Sequence, residues 1–139
     1  MYEKILVAVD HSEVTGRVLD AARELASLSQ GEVWVLHLRE RETMGRTGLL
    51  MSPESRDEAG GAVTAAVETL TMAGITAHGE VRDTLFGHSA REIVSDAQEH
   101  GADVIVMGSR GRGDLVGLVL GSTAHKVIHL ADRPVLVVR

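Results

Sequence analysis

The 139-residue chain has no cysteine, which excludes a disulfide framework, a zinc ribbon and a cysteine nucleophile. A cysteine-free chain also fits a reducing compartment. Aromatic residues are nearly as scarce, with one Trp, one Tyr and one Phe. Proteins that grip single-stranded nucleic acid stack bases on aromatic rings, and three rings build no such platform. Positive charge is in deficit: 14 Lys and Arg stand against 20 Asp and Glu, a net charge of −6. An acidic domain binds polyphosphate backbones poorly, so nucleic acid is not an expected partner, and an anionic ligand would need a locally basic pocket. Long apolar runs are missing too. Asp10 cuts off the run Ile5–Val9, which is too short for a signal segment, and nothing approaches the ~20 apolar residues that span a bilayer. The expectation is a soluble cytoplasmic protein with no membrane partner. What is present, 44% hydrophobic and 24% charged residues, is the mixture of a globular chain. Its length suits one domain, residues 1–139.

Two kinds of segment alternate along the chain. Ile5-Leu6-Val7-Ala8-Val9, Val33-Trp34-Val35-Leu36-His37-Leu38, Val104-Ile105-Val106-Met107 and Val135-Leu136-Val137-Val138 are short, β-branched apolar runs. Such runs suit strands covered on both faces. A weaker strand is expected at Thr76–Val81, after Ala73-Gly74. Between them the period turns helical: Val14, Val18, Ala21, Leu25 and Leu28; Ala59, Val63, Ala66, Leu70 and Ala73; Ala90, Ile93, Val94 and Ala97; Ala124, Val127, Ile128 and Ala131. The order β-α-β-α-β-α-β-α-β predicts an α/β fold, a parallel sheet with helices on both faces. The stretch from Arg39 to Pro53, with mixed charges, Gly45 and Gly48, has no clean period. It reads as a flexible flap docked by Leu49-Leu50-Met51. Trp34 reads as core.

The sharpest signal is the segment from Gly108 to Ser122, with five glycines in fifteen residues. Glycine lets the backbone approach a ligand closely, and successive N–H groups then form an anion-binding concavity. Gly121-Ser122 stands where a helix begins, so free N–H groups and the positive dipole end add to it. From Gly108 to Lys126 the basic Arg110, Arg112 and Lys126 outnumber the acidic Asp114. A P-loop is excluded because Gly113 is followed by Asp114-Leu115, and a dinucleotide fingerprint because Gly117 falls one residue too far from Gly111-Arg112-Gly113. Two readings stay open on chemistry alone: a phosphate seat, or a solvated loop with Ser122 as a helix cap.

The chain resembles the universal stress protein family. The nucleotide-binding branch of that family carries Gly-x2-Gly-x9-Gly-Ser/Thr, which Gly108, Gly111, Gly121 and Ser122 match without a spacing error. The resemblance extends from Ile5-Leu6-Val7-Ala8-Val9-Asp10-x-Ser12 through Gly101–Gly108 to Arg133-Pro134-Val135-Leu136-Val137-Val138. It implies an open five-stranded sheet in the order 3-2-1-4-5, Rossmann-like and similar to the adenine nucleotide alpha hydrolases. That order puts Asp10 and Gly108 side by side at the switch point, where open α/β sheets bind ligands.

The resemblance also implies an ATP site, with magnesium carried by phosphate oxygens and water. Gly108, Gly111, Gly121 and Ser122 would cradle ribose-phosphate and triphosphate, with Arg110 and Arg112 as charge contacts. Asp10 would lie at the nucleoside end, and main-chain atoms at Leu38 or Arg39 would meet adenine. Asp10 can instead cap the first helix, with Glu13 completing a capping box and Ser12 a further cap. No protein cage for a metal is legible: His125 and His129 share a helical face but lack a third ligand, and His11 is placed only to feel the phosphates. No base or catalytic lysine can be placed beside the glycine loop, so no catalytic residue is assigned. The favoured reading is an ATP-binding regulator in stress response, with slow or no hydrolysis. A slow ATPase or adenylyl-type enzyme remains as one alternative, and a protein-interaction module for an unidentified protein partner, its pocket vestigial or holding another adenine nucleotide, as the other. The last strand lies at a sheet edge, and an uncovered Val-Leu-Val-Val edge predicts a homodimer paired through it.

Overall fold

The computed structural model describes residues 1–46, 48–111 and 120–139. In chain order the elements are β1 (Lys4–Val9), α1 (Thr15–Ser29), β2 (Glu32–Met44), β3 (Leu49–Met51), α2 (Arg56–Met72), β4 (Ala77–Leu85), α3 (Ser89–Glu99), β5 (Val104–Gly108), α4 (Ser122–Leu130) and β6 (Val135–Val138). The parallel strands run β4-β2-β1-β5-β6, with Ile5 beside both Val33 and Val104. This is the expected order, with β4, β5 and β6 as the third, fourth and fifth parallel strands. Parallel neighbours need long crossovers, and the helices supply them.

Alternation along the central strands makes two cores. Ile5, Val7, Val33, Val35, Val104 and Val106 pack against α1 and α2. Leu6, Leu36, Ile105 and Met107 pack against α3 and α4. Each such side chain, once buried, contributes about 1.5–3 kcal/mol against its exposed state. The stripes expected for α2 and α3 are buried except at Ala73, the exposed C-cap of α2: Ala59, Val63, Ala66 and Leu70, then Ala90, Ile93, Val94 and Ala97. Gly79 lets α2 lie close on β4, since a Cβ there would stand 2.3 Å from Val63 Cγ1.

Five expectations need correction. In α1 the buried row is Val14, Val18, Ala22 and Ala26, whereas Leu28 is 86% exposed. Small residues at steps of four let the helix approach the sheet, and the leucines fall on its flanks. The Arg39–Pro53 stretch is not a flap but a β-hairpin. β2 runs on to Met44, and β3 pairs back on it antiparallel, Thr43 opposite Leu50. β3 is the sixth strand, where five were expected. Leu49, Leu50 and Met51 are exposed rather than docked. Trp34 is half-buried and sandwiched between His78 and His100, with ring centroids 4.3 and 4.0 Å away.

Candidate functional site

β1, β2 and β5 end on the same side of the sheet, and a cavity of about 580 Å³ opens there. Its walls include Asp10, Leu38, Gly108, Arg110, Gly111 and Ser122, which the sequence had scattered over more than a hundred positions. The volume falls within the range of small-ligand sites, about 300–1,000 Å³. Gly121 is not among its lining residues, and Arg112 lies outside the described residues.

Asp10 follows directly on β1. Its Oδ1 accepts from Ser12 N at 2.8 Å and from Thr15 Oγ1 at 3.1 Å, while Thr15 Oγ1 also donates to the Asp10 carbonyl at 2.8 Å. The carboxylate folds the β1–α1 loop as an Asx turn. It does not close a capping box: the cap position of α1 is Val14, without a side-chain bond. Neither Ser12 nor Glu13 caps the helix.

The glycine segment is tied at its described ends. Ser109 N donates to Val138 O at 2.7 Å, and Gly121 N donates to Ser109 O. The second bond brings the start of α4 beside the end of β5. Gly121 occupies the cap position of α4 with φ −72° and ψ 163°, and no side chain caps that helix among the described residues. Ser122, Thr123 and Ala124, the first turn of α4, line the cavity together with Gly108 and Gly111. Such a first turn favours an anion. Arg110 is exposed at the rim.

Leu38 lines the cavity on the α3 side of β2. Arg39 turns away: its Nε donates to Glu54 O at 3.0 Å, and its Nη1 pairs with Asp83 at 3.3 Å.

The remaining wall holds His11 together with His37 and Glu54, two side chains that sequence reasoning missed. His37 is buried at 3% exposure, and its Nδ1 lies 2.9 Å from Val9 O. A carbonyl only accepts, so Nδ1 carries the proton. Its Nε2 lies 2.7 Å from Glu54 Oε1, and His11 Nε2 lies 2.5 Å from Glu54 Oε2. The two rings meet edge to face with centroids 5.0 Å apart. Burial pushes the Glu54 carboxyl up, but hydrogen bonds to His11 and His37 outweigh this and hold it below its ordinary range. One signal was available: His37 interrupts an apolar run on the same face as Val33 and Val35. Glu54 gave none, because the hairpin is what carries it back over β2. His125 and His129 are exposed on α4.

A family model for the universal stress protein family matches residues 1–139. Universal stress protein YxiE of Bacillus subtilis (strain 168) is 35% identical over 153 residues, with 100% of both chains covered. Hypothetical protein MJ0577, a Methanocaldococcus jannaschii protein, has a similar solved structure with a TM-score of 0.80 at 26% identity, covering 99% of this chain and 96% of that one. The universal stress protein from Archaeoglobus fulgidus, solved in complex with dAMP, has a TM-score of 0.76 at 29% identity, covering 99% and 98%.

Proposed function

The chain belongs to the universal stress protein family, and from that premise we propose that its cleft binds an adenine nucleotide, ATP in the first instance. In this reading the triphosphate lies along Gly108–Gly111 and the first turn of α4, with magnesium on its oxygens. The ribose lies toward Asp10, and adenine meets the main chain at Leu38. The observation that carries the reading is the convergence of Asp10, Leu38, Gly108, Gly111 and Ser122 on one cavity of about 580 Å³. The A. fulgidus relative solved with dAMP supports the same ligand class. The output is regulatory, with slow or no hydrolysis: the binding chemistry comes from backbone donors, which hold a phosphate without activating a water. The reading places the protein in the cytoplasm, and among the described residues no helix is long and apolar enough to cross a membrane.

Calorimetric titration of nucleotide-free protein with ATP, GTP and AMP tests the proposal. Saturable ATP binding in or below the millimolar range is expected, with GTP weaker because guanine presents a different edge to the β2 main chain. No heat of binding with any nucleotide, in protein with an intact fold, would remove the reading.

The proposal includes a homodimer joined through β6. Ile105 N donates to Pro134 O and Ser109 N to Val138 O, so alternate residues face β5, and Val135 and Val137 turn their N–H groups to the open edge. Val137→Pro would remove an edge donor without touching the β5 ladder. Sedimentation should show a dimer for the parent chain and a monomer for the variant; a parent that stays monomeric at every concentration would contradict the dimer.

A further inference from the structure

We propose that His11, His37 and Glu54 form a binding site for a divalent transition-metal ion of the zinc type, with its open position facing the cleft. The site is separate from the magnesium of the nucleotide reading and does not depend on that reading. Phosphates need not be present, because all three ligands are side chains.

The geometry is specific. His11 Nε2, His37 Nε2 and a Glu54 oxygen all lie within 4.8 Å of one another. The bond between His37 Nδ1 and Val9 O fixes the tautomer and aims the Nε2 lone pair into the cluster. Metal-ligating histidines characteristically use their second nitrogen in this way, because the outer bond orients the ring and raises its basicity. At 2.7 Å, the Nε2 lone pair of His37 and the carboxylate Oε1 repel unless something positive stands between them. A proton can do this, and so can a metal ion. The same holds at 2.5 Å between His11 Nε2 and Glu54 Oε2.

The donor set selects the ion. Two imidazoles and one carboxylate suit zinc and its neighbours, whereas magnesium prefers oxygen ligands and retained water. With metal–ligand distances of ~2.0–2.2 Å, tetrahedral coordination separates ligand atoms by about 3.3 Å. The two histidine–carboxylate contacts, at 2.5 and 2.7 Å, must therefore open by less than an ångström. His11 stands on the partly exposed β1–α1 loop, with a side chain 31% accessible, and can make that movement. Glu54 lies just before α2, whose cap Ser55 is bonded to Glu58 N, so its backbone is anchored. A protein with three ligands and an open fourth position, beside a cleft, can hold water or a ligand oxygen on the metal.

The test uses untagged, nucleotide-free protein and cobalt(II), which reports tetrahedral nitrogen and oxygen ligation through its visible absorption. Zinc competition then gives the relative affinity. The expected result is saturation at a single equivalent, with intense visible bands that zinc abolishes. His11→Gln and Glu54→Gln should each weaken binding by more than the ~10–100-fold that an outer-shell partner alone is worth. The paired substitution His125→Gln with His129→Gln should leave it unchanged. Circular dichroism confirms that each variant is folded, and the exposed His11 provides a variant that leaves the core intact. No bands in folded parent protein would overturn the site, as would bands that survive both cleft substitutions. Loss confined to the α4 pair would overturn it too, by placing the ion on that helix. Failure of ATP binding alongside normal cobalt binding would count against the nucleotide reading alone.

Discussion

Gly111→Val is expected to reduce ATP affinity by about 100-fold or more, roughly 2.7 kcal/mol, while leaving the fold intact. Gly111 lines the same cavity as the start of α4, so an isopropyl group there would occupy the space proposed for phosphate. It would also hold the phosphate away from the backbone donors on both sides. Hydrogen bonds to a charged group contribute about 1.5–3 kcal/mol each, so losing one or two accounts for the effect. The contrast is Arg110→Ala. Arg110 is exposed at the rim, where a screened ion pair is worth about 0–1 kcal/mol, so this change should cost less than about tenfold. Calorimetry on the pair of variants separates a seat built from main-chain amides from one built from side-chain charge. Parent-like ATP affinity in folded Gly111→Val protein would refute the assignment of the glycine segment. So would a larger loss from Arg110→Ala than from the glycine change.

The same contrast explains which parts of the site the sequence made legible. Asp10 and Gly108 end adjacent strands, and adjacency follows from strand order, so short apolar runs were enough to bring them together. The glycine spacing was legible because backbone approach requires that residue type. The His11–His37–Glu54 wall depended on something local propensity hides. Arg39-Glu40-Arg41-Glu42 looks like loop because its charges mask the strand period. In the fold those charges face partners: Arg39 lies opposite Asp83 in register and pairs with it at 3.3 Å, while Glu40 Oε1 accepts from Ser89 Oγ at 2.6 Å. Opposite charges across neighbouring strands stabilise the pairing, so a charged sequence extends β2 to Met44. That extension permits the hairpin, and the hairpin buries Glu54. In α1 the error was one of weighting. Leucines dominate a hydrophobic count, but the alanines at 22 and 26 give the closer fit to the sheet.

A second group of ionisable residues, none of which lines the cleft, is expected to make stability depend on pH. Asp96 on α3 has no exposed surface, and both of its carboxylate oxygens are buried. Its nearest cation is Arg82, with Nη2 3.0 Å from Oδ1. Arg82 is shared: it also pairs with Glu80, Glu92 and Glu99, and His100 Nε2 stands 3.0 Å from Glu80 Oε1 and 3.4 Å from Asp96 Oδ1. Burial, and then the neighbouring Glu80, push the Asp96 carboxyl up to about 7 from 3.8. Glu80 moves the other way: burial raises it, but its bonds to Asp96 and His100 and the nearby Arg82 hold it below 4.5. Between the two Asp96 values the unfolded chain has released its proton and the folded chain keeps it, so stability falls as pH rises through about 7. The Glu80 contribution is gained as pH rises and is already complete above its unfolded value of 4.5, so it does not offset the loss. At about 1.4 kcal/mol per pH unit where the two states differ by one bound proton, the parent chain should lose about 1–3 kcal/mol between pH 5 and 8 through this group. Asp96→Asn keeps the shape and the neutral charge of the protonated acid, so it should flatten that slope. The variant should gain relative to the parent as pH rises, with its advantage greatest near pH 8. Denaturant unfolding followed through Trp34, the single tryptophan, measures both slopes. Parallel slopes from pH 5 to 8 would show that Asp96 is ionised in the fold, with Arg82 meeting its charge in full.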